Sequence, residues 1–326
     1  MTEDKHTARW RAVGKSVRGA THGRNGMPNQ DAIHWLPVSG TGSPLIMAVA
    51  DGHGSRRSFR SQVGARLAVE TAVQVVEDFL RVQTQTESLS ATKRAAEEWL
   101  PVALVRNWLG AVAAHLGEQP LSADELQLLG ADEAKPSVDA LRPGAHLAYG
   151  TTILAAAATR DFILYLQLGD GEILTVSSDG EVTSPLPKDQ RLFANETTSL
   201  CSPDAWRDFR VCFQVISNAP PSLILLTTDG YPNSFRDESG FLKVGSDILD
   251  MVRSDGLHMV DDQLEAWLTE STYAGSGDDV TLGLIYLEDV TESETAPSDE
   301  SAKKRRASGA RIDEREAPPQ PVEYEV

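Results

Sequence analysis

The chain has 326 residues, of which 48 are acidic and 30 basic, so its formal net charge is −18. This acidity argues against nucleic acid or an anionic membrane as the main partner, because both are bound by clustered lysine and arginine. Hydrophobic residues make up 40% of the chain, enough for a sizeable core, whereas the longest apolar runs are far too short to span a bilayer. The two cysteines fit no metal or redox motif, and the first residues lack the apolar core of a signal peptide. We therefore expect a reduced, cytoplasmic protein.

The first half of the chain is predicted to contain strands followed by long helices. A strand-like run, PLIMAVAD, precedes an apolar stripe at helical spacing that predicts a helix from Ser58 to Val82. A second helical zone follows from Ala91 to Leu116, where Pro101 is expected to produce a kink. This zone lies in a helical insertion over residues 81–147, which is unusually long for a connection between strands.

The second half is predicted to contain most of the strands. AYGTTILAAAAT, DFILYLQLGD and GEILTVSSDG follow one another closely, which predicts an antiparallel meander. Residues 186–206 show no clear period and are predicted to form a long loop. Two further helices are predicted, from Val244 to Arg253 and from Leu257 to Thr272. Strands that are apolar on both faces, such as LILL, indicate a sheet covered by another sheet on one side and by helices on the other.

The last segment of the chain, residues 288–326, differs in composition from the rest. It is charged, contains proline and has almost no aliphatic side chains. Such a segment buries too little apolar surface to offset the entropy lost on ordering, so we expect a disordered tail. The sequence therefore predicts one α+β domain over residues 1–287, followed by this tail.

Aspartates recur at the ends of the predicted strands. Their positions are Asp31, Asp51, Asp170, Asp229 and Asp278. A single Asp-Gly pair is usually just a turn, but five converging carboxylates would repel one another strongly without a counter-ion. A site of oxygen ligands suits Mg²⁺ or Mn²⁺ better than Zn²⁺. The pattern thus predicts a multi-metal carboxylate site with His53, from the Gly52-His53-Gly54 turn, beside it.

Six short motifs in a fixed order carry a family resemblance. They are NQDA at 29–32, ADGHG at 50–54, GTT at 150–152, LGDG at 168–171, TTDG at 227–230 and GDDVT at 277–281. In this order, they resemble the metal-dependent protein phosphatases of the 2C type. The resemblance implies two antiparallel β-sheets packed face to face as a sandwich with flanking helices. It also implies that residues 186–206 are the flap region, a candidate for substrate choice.

The resemblance also implies a binuclear Mn²⁺ or Mg²⁺ centre. Asp51 would bridge the two ions, and the carbonyl of Gly52 would bind one of them. Asp229 and Asp278 would complete the ligand set, while Asp31 would hold metal-bound water. Two such ions can share a water and lower its pKa, which produces a nucleophile for in-line attack on phosphorus.

Two further roles follow from the resemblance. Asp170, together with Asp229, would bind a weaker third ion. His53 matches the general acid of the family, and the chemistry agrees, because a serine or threonine alkoxide leaves well only if it is protonated.

The sequence departs from the family pattern at three places, of which Gly171, where serine is common, is a mild change. Many members have a phosphate-binding arginine five residues before the first aspartate, a position occupied here by Gly26. Arg24 and His22 are the nearby candidates for that role, and an arginine could bind the phosphate through two parallel hydrogen bonds. Asp279 stands where asparagine is usual, which adds negative charge beside the metals.

These observations predict a phosphoserine/phosphothreonine protein phosphatase. Its partners would be phosphorylated proteins, the substrates of a serine/threonine kinase in cytoplasmic signalling, and neither nucleic acid nor a membrane. Two alternatives stay open at this point. One is a pseudophosphatase that binds a phosphoprotein or regulator with little turnover, and the other is a phosphatase of the same fold acting on a small phosphoester.

Overall fold

A computed structural model of the protein describes residues 7–83, 88–129, 144–187, 197–217 and 219–290. Ala8–Glu288 form one compact unit. The strands are β1 (Thr7–Val17), β2 (Ala32–Leu36), β3 (Thr41–Gly42), β4 (Leu45–Ala50), β5 (Ile153–Ala158), β6 (Phe162–Leu168), β7 (Glu172–Val176), β8 (Val182–Thr183), β9 (Arg210–Val215), β10 (Leu223–Thr227) and β11 (Val280–Val290). The α-helices are α1 (Ala20–Asn25), α2 (Ser61–Gln83), α3 (Leu89–Glu118), α4 (Ala123–Leu128), α5 (Glu238–Asp255) and α6 (Leu257–Ala274).

The strands form two sheets. One has the order β3-β1-β11-β10-β7-β8, and the other has the order β2-β4-β5-β6-β9. The pairs β2–β4, β4–β5, β5–β6, β6–β9, β7–β8, β7–β10, β10–β11 and β1–β3 are all antiparallel. The prediction of two antiparallel sheets is therefore confirmed.

The two sheets pack face to face, with helices on both outer surfaces. Strand β4 shows why, because all six of its residues are buried and successive side chains point to opposite faces. Leu45, Met47 and Val49 belong to the core between the sheets. The intervening side chains belong to a second core shared with α2 and α3, and α5 and α6 form a third core with the other sheet.

The helices follow the predicted pattern with shifted ends. Helix α3 is continuous through Pro101, which is buried, and α4 begins with a capping box between Ser122 and Glu125. Arg60 fixes α4 in place, since its guanidinium donates to both Glu125 oxygens at 2.7 and 2.8 Å and to the Tyr149 hydroxyl at 2.9 Å. The helical insertion is thus anchored at Tyr149, which directly precedes Gly150 of the GTT motif. Residues 130–143 of the insertion lie outside the described residues.

The predicted meander is wrong in its third strand. β5 and β6 pair as expected, but β7 belongs to the other sheet, where it pairs with β8 and β10. The turn Gly169-Asp170-Gly171 therefore crosses between sheets. Gly169 has a φ of +113°, a conformation that side chains rarely adopt, and the Gln167 side chain donates to the Gly171 carbonyl at 2.6 Å. This crossing brings Asp170 to an edge shared by both sheets.

The C-terminal strand extends slightly beyond the predicted domain end at residue 287. β11 continues to Val290, and Glu288 forms ion pairs with Arg9 and Arg11 at 3.4 and 2.9 Å. The remainder of the predicted tail, residues 291–326, lies outside the described residues, as do residues 188–196 of the predicted flap. In the part of the chain that the structure describes, the helices are too short or too polar to cross a membrane.

Candidate metal and catalytic site

Antiparallel pairing brings the strand-end aspartates to one edge of the sandwich. Ala32 of β2 lies opposite Ala50 of β4, so Asp31, just before β2, and Asp51, just after β4, are at the same end. In an antiparallel sheet, the start of one strand lies beside the end of its neighbour. Residues far apart in the chain therefore meet at this edge.

The same reasoning places the remaining three carboxylates. Thr227 of β10 lies opposite Leu282 of β11, which sets Asp229 close to the segment Asp278–Asp279. Thr227 also lies opposite Glu172 of β7, so Asp170 precedes β7 at this edge. Asp170 and Asp278 both raise the pKa of Asp229 through their charges, which agrees with this proximity.

Asp31 is the most enclosed of the five strand-end aspartates, with only 8% of its surface exposed. Its Oδ2 accepts hydrogen bonds from the hydroxyls of Thr228 and Thr281, both at 2.7 Å. Its Oδ1 is buried and has no protein partner. Burial raises the pKa of Asp31 well above its usual value, although the two hydroxyls oppose the rise. A buried carboxylate oxygen without a partner is the feature expected of a group that meets a cation or an ordered water.

Asp51 and Asp229 form a close carboxylate pair. The charge of Asp229 acts on Asp51, and Asn233 donates to Asp229 Oδ2 at 3.1 Å. Burial is the main reason that the pKa of Asp51 is well above its usual value, and the charges of Asp31 and Asp229 raise it further. Burial and the charge of Asp170 raise the pKa of Asp229 to about 6. The folded protein without bound cations therefore stabilises the ionised forms of these two carboxyl groups poorly.

Two threonines of the GTT motif hold the backbone of Asp51. Its N–H donates to the Thr152 hydroxyl at 3.0 Å, and its carbonyl accepts from the Thr151 hydroxyl at 2.8 Å. The following residue, Gly52, is buried, and a Cβ there would lie 2.8 Å from the carbonyl oxygens of Gln30 and Ser61. Close packing therefore requires glycine at this position, whatever its carbonyl binds.

His53 lies beside this group, on the GTT side of the site. The backbone N–H of His53 donates to the Gly150 carbonyl at 3.1 Å. A Cβ at Gly150 would lie 2.8 Å from the imidazole Cδ2 of His53. Burial lowers the pKa of His53, and the charge of Asp170 offsets part of that change. In the metal-free protein, the ring is therefore mainly neutral at neutral pH.

Asp279 has a structural role that the sequence did not predict. Its side chain is 3% exposed, and its two oxygens accept the backbone N–H groups of Gly19 and Gln30, both at 2.6 Å. The carboxylate thereby joins three distant segments of the chain behind the site. An asparagine would present an NH₂ group to one of these N–H donors and leave that donor unsatisfied.

His22 lies next to this anchor, and Arg24 does not. The side chain of His22 is 16% exposed, with Nε2 3.8 Å from Asp278 Oδ1 and Nδ1 2.8 Å from Asp279 Oδ2. The two atoms lie at contact distance without an aligned hydrogen bond, so Nδ1 is a buried atom with no hydrogen-bond partner. Arg24 is exposed and donates to the Thr21 hydroxyl at 2.9 Å.

The donor set fits divalent cations. It is rich in carboxylates, includes an unpartnered buried oxygen, and contains three carboxyl groups whose pKa values are raised by burial and by the charges of neighbouring aspartates. Bound cations would balance this charge, and Mg²⁺ or Mn²⁺ are the ions that prefer such ligands. His22, Asp278 and Asp279 form a further group with ligand atoms within 4.8 Å of one another.

Comparison with known proteins identifies the family of the chain. The profile of the family described as protein phosphatase 2C matches residues 18–269. The chain belongs to the protein phosphatase 2C family. None of the curated protein sequences compared with the chain matches it.

Solved structures show the same fold at low sequence identity. A bacterial serine phosphatase superposes with a TM-score of 0.52 at 13% identity, covering 86% of this chain and 98% of its own. The serine/threonine phosphatase PstP/Ppp of Mycobacterium tuberculosis gives 0.51 at 16% identity, with 86% and 99% covered. The serine/threonine phosphatase Stp1 of Staphylococcus aureus gives 0.51 at 14% identity, with 85% and 94% covered. At these identities, the likeness establishes the fold.

Proposed function

We propose that this protein is a metal-dependent phosphoserine/phosphothreonine protein phosphatase. The observation that carries the proposal is the meeting of Asp31, Asp51 and Asp229 at one edge of the sandwich, with their pKa values raised and Asp31 Oδ1 left without a partner. Membership of the protein phosphatase 2C family supports it.

Two Mn²⁺ or Mg²⁺ ions would occupy the site. Asp51 is the candidate bridging ligand, with the Gly52 carbonyl, Asp229 and Asp278 as the other ligands. Asp31 is the candidate for holding metal-bound water, through its unpartnered Oδ1. When bound, such ions lower the pKa of water and so supply the nucleophile. Asp170, whose charge acts on Asp229, is the candidate for a weaker third ion.

His53 is the candidate general acid for the departing alkoxide. Burial lowers its pKa in the metal-free protein, which by itself works against a proton donor. A bound phosphate dianion would favour the imidazolium, because an opposite charge nearby raises the pKa of histidine. The contact of the ring with Gly150 and the hydrogen bond from its backbone keep His53 in place for this transfer.

Substrate recognition is proposed to involve residues around the metal edge. Arg24 is one candidate for binding the phosphate group, since its exposed side chain is free to swing away from Thr21, and His22 is the other. We propose that residues 186–206 contribute to the choice of substrate. The substrates would be phosphorylated proteins, the products of a serine/threonine kinase in cytoplasmic signalling.

The deciding experiment is release of phosphate from a phosphothreonine peptide in the presence of Mn²⁺. We expect turnover that EDTA abolishes and that the Asp51→Asn variant loses. Metal binding without turnover on any phosphoester would contradict the proposal and favour a pseudophosphatase, a possibility raised by Gly26 at the usual arginine position. Turnover of small phosphoesters but not of a phosphopeptide panel would contradict the protein-phosphatase assignment.

A further inference from the structure

We propose that His22 is a nitrogen ligand of the metal ion bound by Asp278. The ligands that the 2C-type resemblance implies are all oxygen atoms, so His22 would be an addition to that set. The inference deepens the proposed function and rests on it, because it requires the carboxylate edge to bind metal.

The first support is the rigid anchor behind His22. Asp279 is almost fully buried and its oxygens already accept two backbone N–H groups at 2.6 Å. It is therefore in place to orient an imidazole, and its Oδ2 lies 2.8 Å from His22 Nδ1. Metal-binding histidines commonly donate their other ring N–H to a carboxylate, which fixes the tautomer and leaves the free nitrogen for the metal.

The second support is the distance on the other side of the ring. His22 Nε2 lies 3.8 Å from Asp278 Oδ1. Two atoms that each bind one cation at about 2.1 Å cannot be more than about 4.2 Å apart. Asp278 Oδ1 also accepts the Asp279 N–H at 2.8 Å, which holds that oxygen in position. One ion can therefore contact both atoms.

The third support is the buried Nδ1 atom. It is at contact distance from Asp279 Oδ2 but lacks an aligned hydrogen bond, and an unsatisfied buried donor is unfavourable. In the proposed metal-bound state, a small adjustment of the ring aligns Nδ1–H with Asp279 Oδ2 and leaves Nε2 facing the ion beside Asp278 Oδ1. The competing explanation is an imidazolium that forms ion pairs with both carboxylates and never binds metal.

A nitrogen ligand would alter the metal preference of the centre. Imidazole binds transition metals well, whereas Mg²⁺ prefers oxygen ligands and water. His22 would therefore favour Mn²⁺ over Mg²⁺. Replacing it by glutamine should reduce the ratio of Mn²⁺ to Mg²⁺ affinity by about tenfold, the scale observed when groups around a metal are removed.

The direct test is pulsed electron paramagnetic resonance of the Mn²⁺-loaded full chain. We expect a coupling to imidazole nitrogen that changes when histidine is labelled with ¹⁵N, and that disappears in His22→Gln. His258→Gln is the matched control, since His258 is exposed on α6, and it should keep the coupling. Wild-type protein that binds Mn²⁺ without this coupling would overturn the inference, whether or not His22→Gln folds. A coupling that persists in folded His22→Gln would overturn it as well.

Calorimetry with Mn²⁺ and Mg²⁺ separates this inference from the proposed function. Tight Mn²⁺ binding with an unchanged Mn²⁺ to Mg²⁺ ratio in His22→Gln would contradict only the role of His22. Failure of wild-type protein to bind either ion would contradict the metal centre itself, and with it both proposals. A tenfold loss in the ratio for His22→Gln, with none for His258→Gln, would support the nitrogen ligand.

Discussion

Replacing Asp229 by asparagine should stabilise the metal-free protein while destroying the proposed metal site. In the folded chain, burial and the charge of Asp170 raise the pKa of Asp229 to about 6. An unfolded chain would ionise the same carboxyl near pH 4. Asparagine has nearly the same shape and carries no charge, so it removes the repulsion without opening a cavity.

The size of the effect follows from the pKa difference. A rise of about 2 pKa units corresponds to about 3 kcal/mol of unfavourable free energy when the group is ionised. Because the folded-state pKa is the higher one, stability is greatest below about pH 4 and is lost as the pH rises to about 6. At pH 7.5, the free energy of unfolding of Asp229→Asn should therefore exceed that of wild type by up to about 3 kcal/mol.

Urea unfolding in EDTA between pH 4 and pH 7.5 provides the measurement. The free energy of unfolding of Asp229→Asn should exceed that of wild type at pH 7.5 and nearly equal it at pH 4. The control is Asp262→Asn, at an exposed position, which should unfold like wild type at every pH. Mn²⁺ at about 1,000 times its Kd should reverse the order, since at that concentration a ligand stabilises the native state by about 4.1 kcal/mol. Metal-free wild type that is as stable as Asp229→Asn at pH 7.5 would refute the reasoning.

Three further predictions concern neighbouring parts of the fold. His53→Gln should bind Mn²⁺ normally in calorimetry but lose more turnover on a phosphothreonine peptide than on p-nitrophenyl phosphate, whose leaving group needs less protonation; equal losses on both substrates would exclude the general-acid role. Gly230→Ala should lower the urea midpoint, because a Cβ there would overlap the carbonyl of Asp279. In the control Gly110→Ala, the added Cβ has no atom within 4 Å, so the midpoint should stay equal or rise. Arg60→Met should speed amide hydrogen exchange in α4 by about tenfold or more, since it removes the hydrogen bonds to Glu125 and Tyr149. Unchanged exchange in α4 would show that other contacts hold this helix.

Much of the fold and the identity of the main candidate ligands were predictable from local patterns. The apolar stripe from Ser58 to Val82 predicted α2, and the glycines after Asp51, Asp170 and Asp229 marked carboxylates at strand ends. Periodicity and turn chemistry involve residues a few positions apart, so a linear sequence contains them in full. The site assignments themselves stay predictions.

Other features depend on residues that meet only in the folded chain. GEILTV has the same local pattern as a third meander strand, but its partner is decided by competition between two sheet edges, and β7 pairs with β8 and β10. Asp279 looked like added negative charge, yet it binds the N–H of Gly19, 260 positions away. In the sequence, His22 was only a residue near Gly26, the position where many family members have an arginine. Folding places it between the carboxylates of Asp278 and Asp279. The sequence alone thus determined most of the long helices and strands and which aspartates are candidate metal ligands. Tertiary structure decided which of them meet, because sheet pairing and buried electrostatics are set by contacts between distant segments.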